Sequence, residues 1–373
     1  MAATSEGKAE GRRCNGRPWD GIADELWSDW RWQFRNRIRS LKKLSAVLER
    51  PVASLAAWSP VIRAYPFAVT PYYLSLLDPA DPVDPLRRQC FPDPREIDPA
   101  AAGSEDPLDE EGAMPVPGLV HRYPDRCLVI ATGVCALYCR HCNRKRMWRR
   151  KEPGGTRERL QTMVDYIART PQLREVIVSG GDPLLLSERL LDWFLGALRA
   201  IPHVEVLRIG SRAPVTLPMR VTPGLCAMLQ RHRPLWLNTQ FNHPRELTPE
   251  AAAACERLLM AGIPVSNQSV LLKGINDDYE TMRALLYGLE RISVRPYYLF
   301  QCDPVRGTDH FRAEIWNGMG IMERLWRNLS GLCLPRYVLD CPGGRGKIPL
   351  QPISLLPEGE AGKHSFDKTG RMD

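Results

Sequence analysis

The sequence predicts an α/β fold: a partial (β/α) barrel of about six units, preceded by a helical extension and followed by a short C-terminal segment. Two observations predict it. Short β-prone runs centre near Val129 (CLVIA), Val176 (EVIVS), Leu207 (EVLRIG), Trp236 (LWLNT), Val265 (IPVSN) and Tyr297 (RPYYLF), and from the second to the sixth they recur after 31, 29, 29 and 32 residues. Between them lie segments with one apolar face at helical spacing, such as Leu160, Met163, Val164 and Ile167, or Leu190, Leu191, Phe194 and Leu198. A strand plus a helix about every 30 residues is the βαβ period, and right-handed crossovers turn it into a parallel sheet. With about six units, a partial or full barrel is favoured over an open doubly wound sheet. In either case functional groups belong at the C-terminal strand ends.

In chain order, residues 1–76 read as a helical region, because Trp27, Trp30, Phe34, Ile38, Leu41, Leu44 and Leu48 keep the spacing of one amphipathic helix. Residues 77–117 form a connection. Within it, residues 77–112 hold eleven acids, three arginines and seven prolines, a poor composition for helix or strand, so it reads as a long irregular stretch over the surface. Residues 118–330 carry the βα units. Residues 331–373 form the C-terminal segment and end in a short polar tail, ISLLPEGEAGKHSFDKTGRMD, after Pro352.

The 373 residues are 44% hydrophobic and 25% charged, as in a soluble globular protein. Apolar runs are a handful of residues long, against the roughly 18–20 of a membrane span. The first twenty residues lack the apolar core of a secretory signal, and a cytoplasmic protein is expected. The net charge of +8 is uneven: residues 121–160 hold eleven Lys/Arg against three acids, an excess equal to that of the whole chain. A basic stretch invites a nucleic-acid reading, but specific binding calls for aromatic platforms or a docking motif beside the arginines. Here the basic stretch wraps three cysteines instead. Eleven cysteines, an odd number without a signal peptide, argue against a disulfide framework and for a reducing compartment. Eight are scattered (Cys14, Cys90, Cys127, Cys226, Cys255, Cys302, Cys333 and Cys341). Of these, Cys226 and Cys255 lie in apolar helical contexts and read as small buried thiols.

The other three form Cys135-Ala-Leu-Tyr-Cys139-Arg-His-Cys142, directly after the first β-like run. Three thiolates at these spacings wrap three corners of a cubic [4Fe–4S] cluster and leave the fourth iron open to a small molecule. A structural zinc site needs a closed set of four ligands, and no second Cys-x-x-Cys follows. A thioredoxin-like redox pair would not need the third cysteine. After the next strand comes Ser179-Gly180-Gly181-Asp182-Pro183, where two glycines allow close approach to a ligand and a carboxylate suits an ammonium group.

Cys-x3-Cys-x2-Cys after the first barrel strand resembles the signature of the radical S-adenosylmethionine (radical SAM) enzymes. Gly180, Gly181 and Asp182 resemble that superfamily's segment for the methionine amino group of S-adenosylmethionine. The segments WSDWRWQFRNRI, HRYPDR, CALYCRHCNRKR, LNTQFNHP, RPYYLFQCD, HFR and CPGGRGKIPL narrow the resemblance, from about Trp27 to Pro352, to the lysine 2,3-aminomutase family. The resemblance implies a partial (β/α)6-type radical SAM barrel, a [4Fe–4S] cluster on Cys135, Cys139 and Cys142, S-adenosylmethionine, and pyridoxal phosphate. It implies conversion of L-lysine to L-β-lysine through a 5′-deoxyadenosyl radical, and an electron donor such as flavodoxin or ferredoxin. Lys347 matches the lysine that carries pyridoxal phosphate as a Schiff base. Arg122, Tyr123 and Arg126 match the positions that hold that cofactor's phosphate and ring, and two arginines suit a phosphate dianion. Arg144 matches the arginine for the substrate α-carboxylate. Lys145, Arg146, Arg149 and Arg150 have no such match and read as a solvated basic face. Asp303 and Asp340 match the two carboxylates that receive the lysine ε-ammonium; glutamate would meet like charge there.

The chain also departs from the family. Its best-known members carry zinc, using a cysteine where this sequence has Asp278 and a C-terminal cysteine cluster, whereas here no cysteine follows Cys341; no zinc is expected. The family's PGGGGK is PGGRGK here, which puts Arg345 beside Lys347. The tail lacks the longer terminal segment of those tetrameric enzymes, so a homo-oligomer is compatible with the sequence but its size is not legible in it. Arginine is an alternative substrate, and the aminomutase-like enzymes of elongation factor P modification are an alternative branch. The Asp303/Asp340 pair and the N-terminal helix favour free lysine. A small amino acid is the expected partner, rather than nucleic acid or membrane.

Overall fold

The computed structural model describes residues 19, 21–49, 55–78, 81–148 and 155–351. Cys14, Arg149, Arg150 and the polar tail lie outside the described residues.

The N-terminal region departs from the single helix that its spacing predicts. Residues 24–48 form three short helices, Asp24–Trp27, Trp30–Arg35 and Leu41–Leu48. Polar side chains that bond to nearby main chain cut it. Asp29 accepts from Arg31 N at 2.9 Å to start the second helix, and Asn36 donates to the Trp32 carbonyl at 2.9 Å where it ends. Ile38 then bridges Val69 in an antiparallel pair, and Ser40 caps the third helix by accepting from Lys43 N. Ile38, Leu44 and Val47 are the buried anchors.

The acidic connection does not run over the surface. Asp84 accepts from Leu86 N and Arg87 N, each at 2.8 Å, and so caps a helix, Pro85–Cys90, that begins on proline. Asp93 and Glu96 close a capping box on a 3-10 turn, Pro94–Ile97. Leu86, Cys90, Phe91, Glu96, Leu108 and Glu110 are all buried. The prolines set helix starts, and three of the acids, Asp84, Glu96 and Glu110, enter the interior, each against a cation.

Among the described residues, one sheet of nine strands runs in chain order: β1 (Leu119–Tyr123), β2 (Arg126–Thr132), β3 (Glu175–Gly180), β4 (Val206–Gly210), β5 (Leu235–Thr239), β6 (Val265–Leu271), β7 (Arg295–Gln301), β8 (Arg336–Asp340) and β9 (Lys347–Pro349). Strands β2 to β8 pair in parallel, and antiparallel hairpins add β1 and β9 at the two edges. All six expected runs are strands, and β8, RYVLD, is a seventh parallel one that five residues of mixed polarity did not announce. The helices Arg157–Ala168, Glu188–Arg199, Pro223–Gln230, Pro249–Met260, Tyr279–Arg291 and Ile315–Asn328 fill the crossovers. In the first of them Leu160, Met163, Val164 and Ile167 are the buried face, as the spacing predicts. Asp278 caps the helix Tyr279–Arg291 by accepting from Thr281 N at 2.9 Å.

The strands face two environments. Val176, Val178, Leu207, Ile209, Leu235 and Leu237 belong to the main apolar core, and each such side chain contributes roughly 1.5–3 kcal/mol by leaving water. Asn238, Thr239, Asn267, Ser269 and Gln301 are buried polar residues towards the strand ends. Three of them are satisfied within the structure: Asn267 Nδ2 donates to Ser269 Oγ at 2.8 Å, Ser269 Oγ to the Phe241 carbonyl at 2.7 Å, and Gln301 Nε2 to the Ala313 carbonyl at 2.6 Å. Polar groups buried at one end of a parallel sheet mark where a ligand belongs.

Candidate active site

The cysteine loop leaves β2 at Thr132 and is held from outside by the N-terminal region and the acidic connection. Tyr138 N donates to the Ala68 carbonyl at 3.1 Å and Arg140 N to the Gln89 carbonyl at 2.8 Å. The Arg37 guanidinium donates to the Cys135 carbonyl. Arg140, between Cys139 and His141, is fully buried; its Nε and Nη2 meet the Glu96 carboxylate at 2.9 and 2.5 Å, and its remaining donors meet the Pro66 and Tyr65 carbonyls. Lys145 Nζ lies 2.7 Å from the same carboxylate. Lys145 and Arg146 therefore depart from the solvated face expected of them, at 1% and 5% exposure. Arg146 meets Glu110 at 2.9 Å and Glu111 at 3.0 Å. A buried charge persists only with a partner, and the acidic connection supplies one for each.

Nine of the thirteen residues singled out by the sequence line one cavity of about 270 Å³: Cys135, Cys139, Cys142, Gly180, Gly181, Asp182, Arg144, Asp303 and Asp340. Burial first, then neighbouring negative groups that include the other cysteines, push Cys135 well up; burial and then Cys139 push Cys142 to about 11. Cys139 Sγ accepts from Arg212 Nη1 at 2.8 Å. Among the described residues no three His, Cys, Asp or Glu gather as for a single metal ion; the thiols share the cavity without converging on a point. Buried thiols that resist ionising together suit a cationic guest that takes them as thiolates, and an iron–sulfur cluster does so.

Gly180 and Gly181 bring main chain against main chain. Gly181 N donates to the Thr132 carbonyl at 2.5 Å and Asp182 N to the Val134 carbonyl at 2.7 Å. A Cβ on Gly180, whose φ is +130°, would stand 2.4 Å from the Thr132 oxygen. The close approach expected towards a ligand is here also an approach to the cysteine loop. Asp182, 4% exposed, accepts from Ser211 Oγ at 2.7 Å, Leu184 N at 3.1 Å and Arg212 N at 3.1 Å. Its carboxylate thus ties the end of β3 to the end of β4.

Across the cavity stand the carboxylates. Asp303 follows β7 and Asp340 ends β8. Burial, then Asp340, push the Asp303 carboxyl up to about 7, against a hydrogen bond from Asn143. Lys347 does not line the cavity, but its Nζ donates to Asp340 Oδ1 at 2.6 Å and lies 5.2 Å from the ring centroid of Phe300, a lining residue. The β8–β9 register places Lys347 opposite Asp340, across a turn in which Gly343, Gly344 and Gly346 have φ of +70°, +72° and +98°. Such angles favour glycine. Arg345 has φ −76°, so a side chain there is unstrained, and it is exposed. Arg144 gives Nε and Nη2 to Glu110, the shortest contact being 2.6 Å. Arg144 and Arg146 hold Glu110 down at about 2 against a burial that would raise it.

Arg122, Tyr123 and Arg126 sit on the β1–β2 hairpin and are not among the lining residues. Of the three, Arg122 reaches the lysine's turn. A Cβ on Gly344 would stand 2.9 Å from Arg122 Cδ, and Gly343 N donates to the Pro107 carbonyl at 2.8 Å. The Arg126 guanidinium lies 3.8 Å from the Tyr123 ring centroid and pairs with Asp125 at 2.7 Å. Tyr123 Oη and Arg122 Nε are buried without a hydrogen-bond partner. Unpartnered buried donors on a hairpin that reaches the lysine's turn through Arg122 fit a phosphorylated ring bound at Lys347.

Four residues of the site carried no expected role. His141 and Thr239 line the cavity with a buried Nδ1 and Oγ1 that lack partners; His141 was visible inside the cysteine motif, Thr239 only as the last residue of a strand. Arg212 and Glu246, 2.6 Å apart, tie Cys139 to Tyr73, whose hydroxyl donates to Glu246 at 2.7 Å. No local pattern marks a pair 34 residues apart.

Residues 129–286 match the Radical SAM superfamily, which implies a [4Fe–4S] cluster and S-adenosylmethionine. The chain is 48% identical over 337 residues to the L-lysine 2,3-aminomutase of Clostridium subterminale, covering 90% of this chain and 81% of that one. It is 44% identical over 340 residues to the L-lysine 2,3-aminomutase of Bacillus subtilis, with 91% and 72% covered. The glutamate 2,3-aminomutase of Clostridioides difficile is 40% identical over 336 residues, with 90% and 79% covered. With its three cysteines, glycine segment and carboxylate pair gathered at one end of a parallel sheet, this chain belongs to the lysine 2,3-aminomutase family of radical SAM enzymes.

Proposed function

We propose that the chain converts L-lysine to L-β-lysine, and the observation that supports this most is the pair Asp303 and Asp340 in the cavity that holds the cysteines. When bound, the cluster with S-adenosylmethionine supplies the hydrogen-abstracting radical, and pyridoxal phosphate carries the migrating amino group. Cys135, Cys139 and Cys142 hold the cluster, and Gly180, Gly181 and Asp182 border S-adenosylmethionine. Lys347 holds pyridoxal phosphate, with Arg122, Tyr123 and Arg126 on its phosphate and ring. Arg144, fixed by Glu110, orients the substrate α-carboxylate.

Asp340 holds the Lys347 ammonium in the structure; once that amine is bound covalently, Asp340 is left for a second cation, the substrate's. Asp303 stands beside it with a carboxyl that resists ionisation until a cation arrives. A glutamate side chain would add a third negative group to this corner, where burial makes like charge costly.

The test reconstitutes the cluster anaerobically, adds S-adenosylmethionine, pyridoxal phosphate and reductant, and assays lysine, arginine and glutamate for their β-isomers. Lysine turnover is expected. Turnover of none refutes an aminomutase, and preference for glutamate refutes the role of the pair. Asp303→Ala should leave the cluster's absorbance intact and raise KM for lysine at least about thirtyfold, the equivalent of about 2 kcal/mol.

A further inference from the structure

The geometry points to the exposed basic face of the N-terminal helices as the docking surface for an acidic one-electron carrier protein of the flavodoxin or ferredoxin kind. Residues 30–48 contain Arg31, Arg35, Arg37, Arg39, Lys42 and Lys43 and no acid. All but Arg37 are exposed. The chain's other basic run is different in kind, because Arg140, Lys145 and Arg146 are buried against Glu96 and Glu110. On the N-terminal face Arg35 has Asp29 at 4.0 Å, and among the described residues Arg39, Lys42 and Lys43 have no acidic partner.

This face is also wired to the cysteine loop. Arg37, 7% exposed, is fixed by the Phe34 carbonyl at 2.9 Å and donates to the Cys135 carbonyl. Tyr138, inside the loop, stacks on Trp148 with ring centroids 5.1 Å apart. Both rings are half-exposed. A ligand cysteine, its carbonyl, a buried arginine and a partly exposed aromatic pair thus adjoin a basic segment in which Arg39, Lys42 and Lys43 have no acidic partner among the described residues. The established family chemistry draws one electron from outside the chain, and the donor loses that electron with no proton moved. Complementary charge would steer an acidic donor to this face and set its register.

This inference rests on the cluster implied by the family and not on the identity of the amino acid substrate. The experiment uses the full reconstituted enzyme and a purified flavodoxin as probe. Its Kd is measured from about 0.01 M to about 0.1 M ionic strength, over which the screening length falls from about 30 to about 10 Å. Binding should weaken at least about tenfold over that range, and by a similar factor in the triple variant Arg39→Glu, Lys42→Glu, Lys43→Glu. Reduction of the cluster by flavodoxin, followed by electron paramagnetic resonance, should slow with it, while reduction by dithionite stays at the wild-type rate. A milder Lys42→Gln, Lys43→Gln variant repeats the test if the triple variant misfolds. Affinity unchanged in the variants overturns the proposal. So does a duplex RNA that binds more tightly than flavodoxin and loses affinity in the same variants. Failure of every amino acid to turn over, with these binding results intact, would count against the proposed substrate and leave the docking face standing.

Discussion

Glu96→Ala removes the acid shared by two cations that are sealed from water. The side chains of Arg140 and Lys145 are 0% and 1% exposed, and Glu96 meets them at 2.5 and 2.7 Å. Removing one partner of a buried ion pair costs about 3–5 kcal/mol, since the remaining charge is left uncompensated. With an unfolding entropy of about 2 cal/mol/K per residue over 373 residues, that cost corresponds to a fall in Tm of roughly 4–6 °C. The assay is scanning calorimetry of anaerobic protein, with Glu105→Ala as a surface control expected to shift stability by under about 0.5 kcal/mol. Burial alone would raise the Glu96 carboxyl, but Arg140 and Lys145 hold it below the usual carboxylate range. The unfolded chain then binds this proton more readily. The stability from Glu96 is full above the ordinary glutamate value of about 4.3 and is lost only as pH falls towards its lowered native value. Because Arg140 sits between Cys139 and His141, the variant should also retain less iron. A Tm within about 1 °C of wild type at neutral pH would refute the reasoning, because it would mean that the two cations do not depend on Glu96.

Other perturbations follow from the same geometry. Gly180→Ala places a Cβ 2.4 Å from the Thr132 oxygen at a φ of +130°, which costs about 1–3 kcal/mol in backbone strain and a similar amount in displacement of the cysteine loop; an unchanged Tm and full iron content would count against it. The Asp303 carboxyl, raised to about 7, binds its proton more tightly folded than unfolded, so it favours the fold below the ordinary aspartate value and that contribution disappears as pH rises through about 7. A cationic substrate needs the ionised form, and lysine affinity should rise about tenfold from about pH 6 to about pH 8. Isothermal titration measures it, and a flat profile would remove Asp303 from recognition.

Much of the fold was legible because its signals are local. The helix Arg157–Ala168 buries the four residues its spacing marks, and every predicted β-run is a strand. β1 and β9 were missed because LVHRY turns polar after two apolar residues and KIP is only three residues long, so neither shows a β-prone run. The N-terminal helix was over-extended for a related reason. Hydrophobic spacing survives a break, whereas the Asp29 and Ser40 caps that make the break act through single hydrogen bonds. Within the site, the cysteines, Asp303 and Asp340 were legible as motif residues at strand ends. Arg212, Glu246 and Glu96 were not, since each acts on a partner at least 34 residues away.

By itself the sequence determined the cysteine triad, the parallel βα repeat and the presence of two opposite charge excesses, because these reside in spacing and composition. Only the tertiary structure decided that the two excesses belong together. The acids of the connection and the cations of the cysteine loop are about fifty residues apart or less along the chain, yet nothing local couples them. Folding places Glu96 and Glu110 against Arg140, Lys145, Arg144 and Arg146 in the interior, where low polarity makes an unpaired charge prohibitive and a paired one a rigid strut. Of the basic residues at 31–43, Arg39, Lys42 and Lys43 stay exposed and, among the described residues, have no acidic partner.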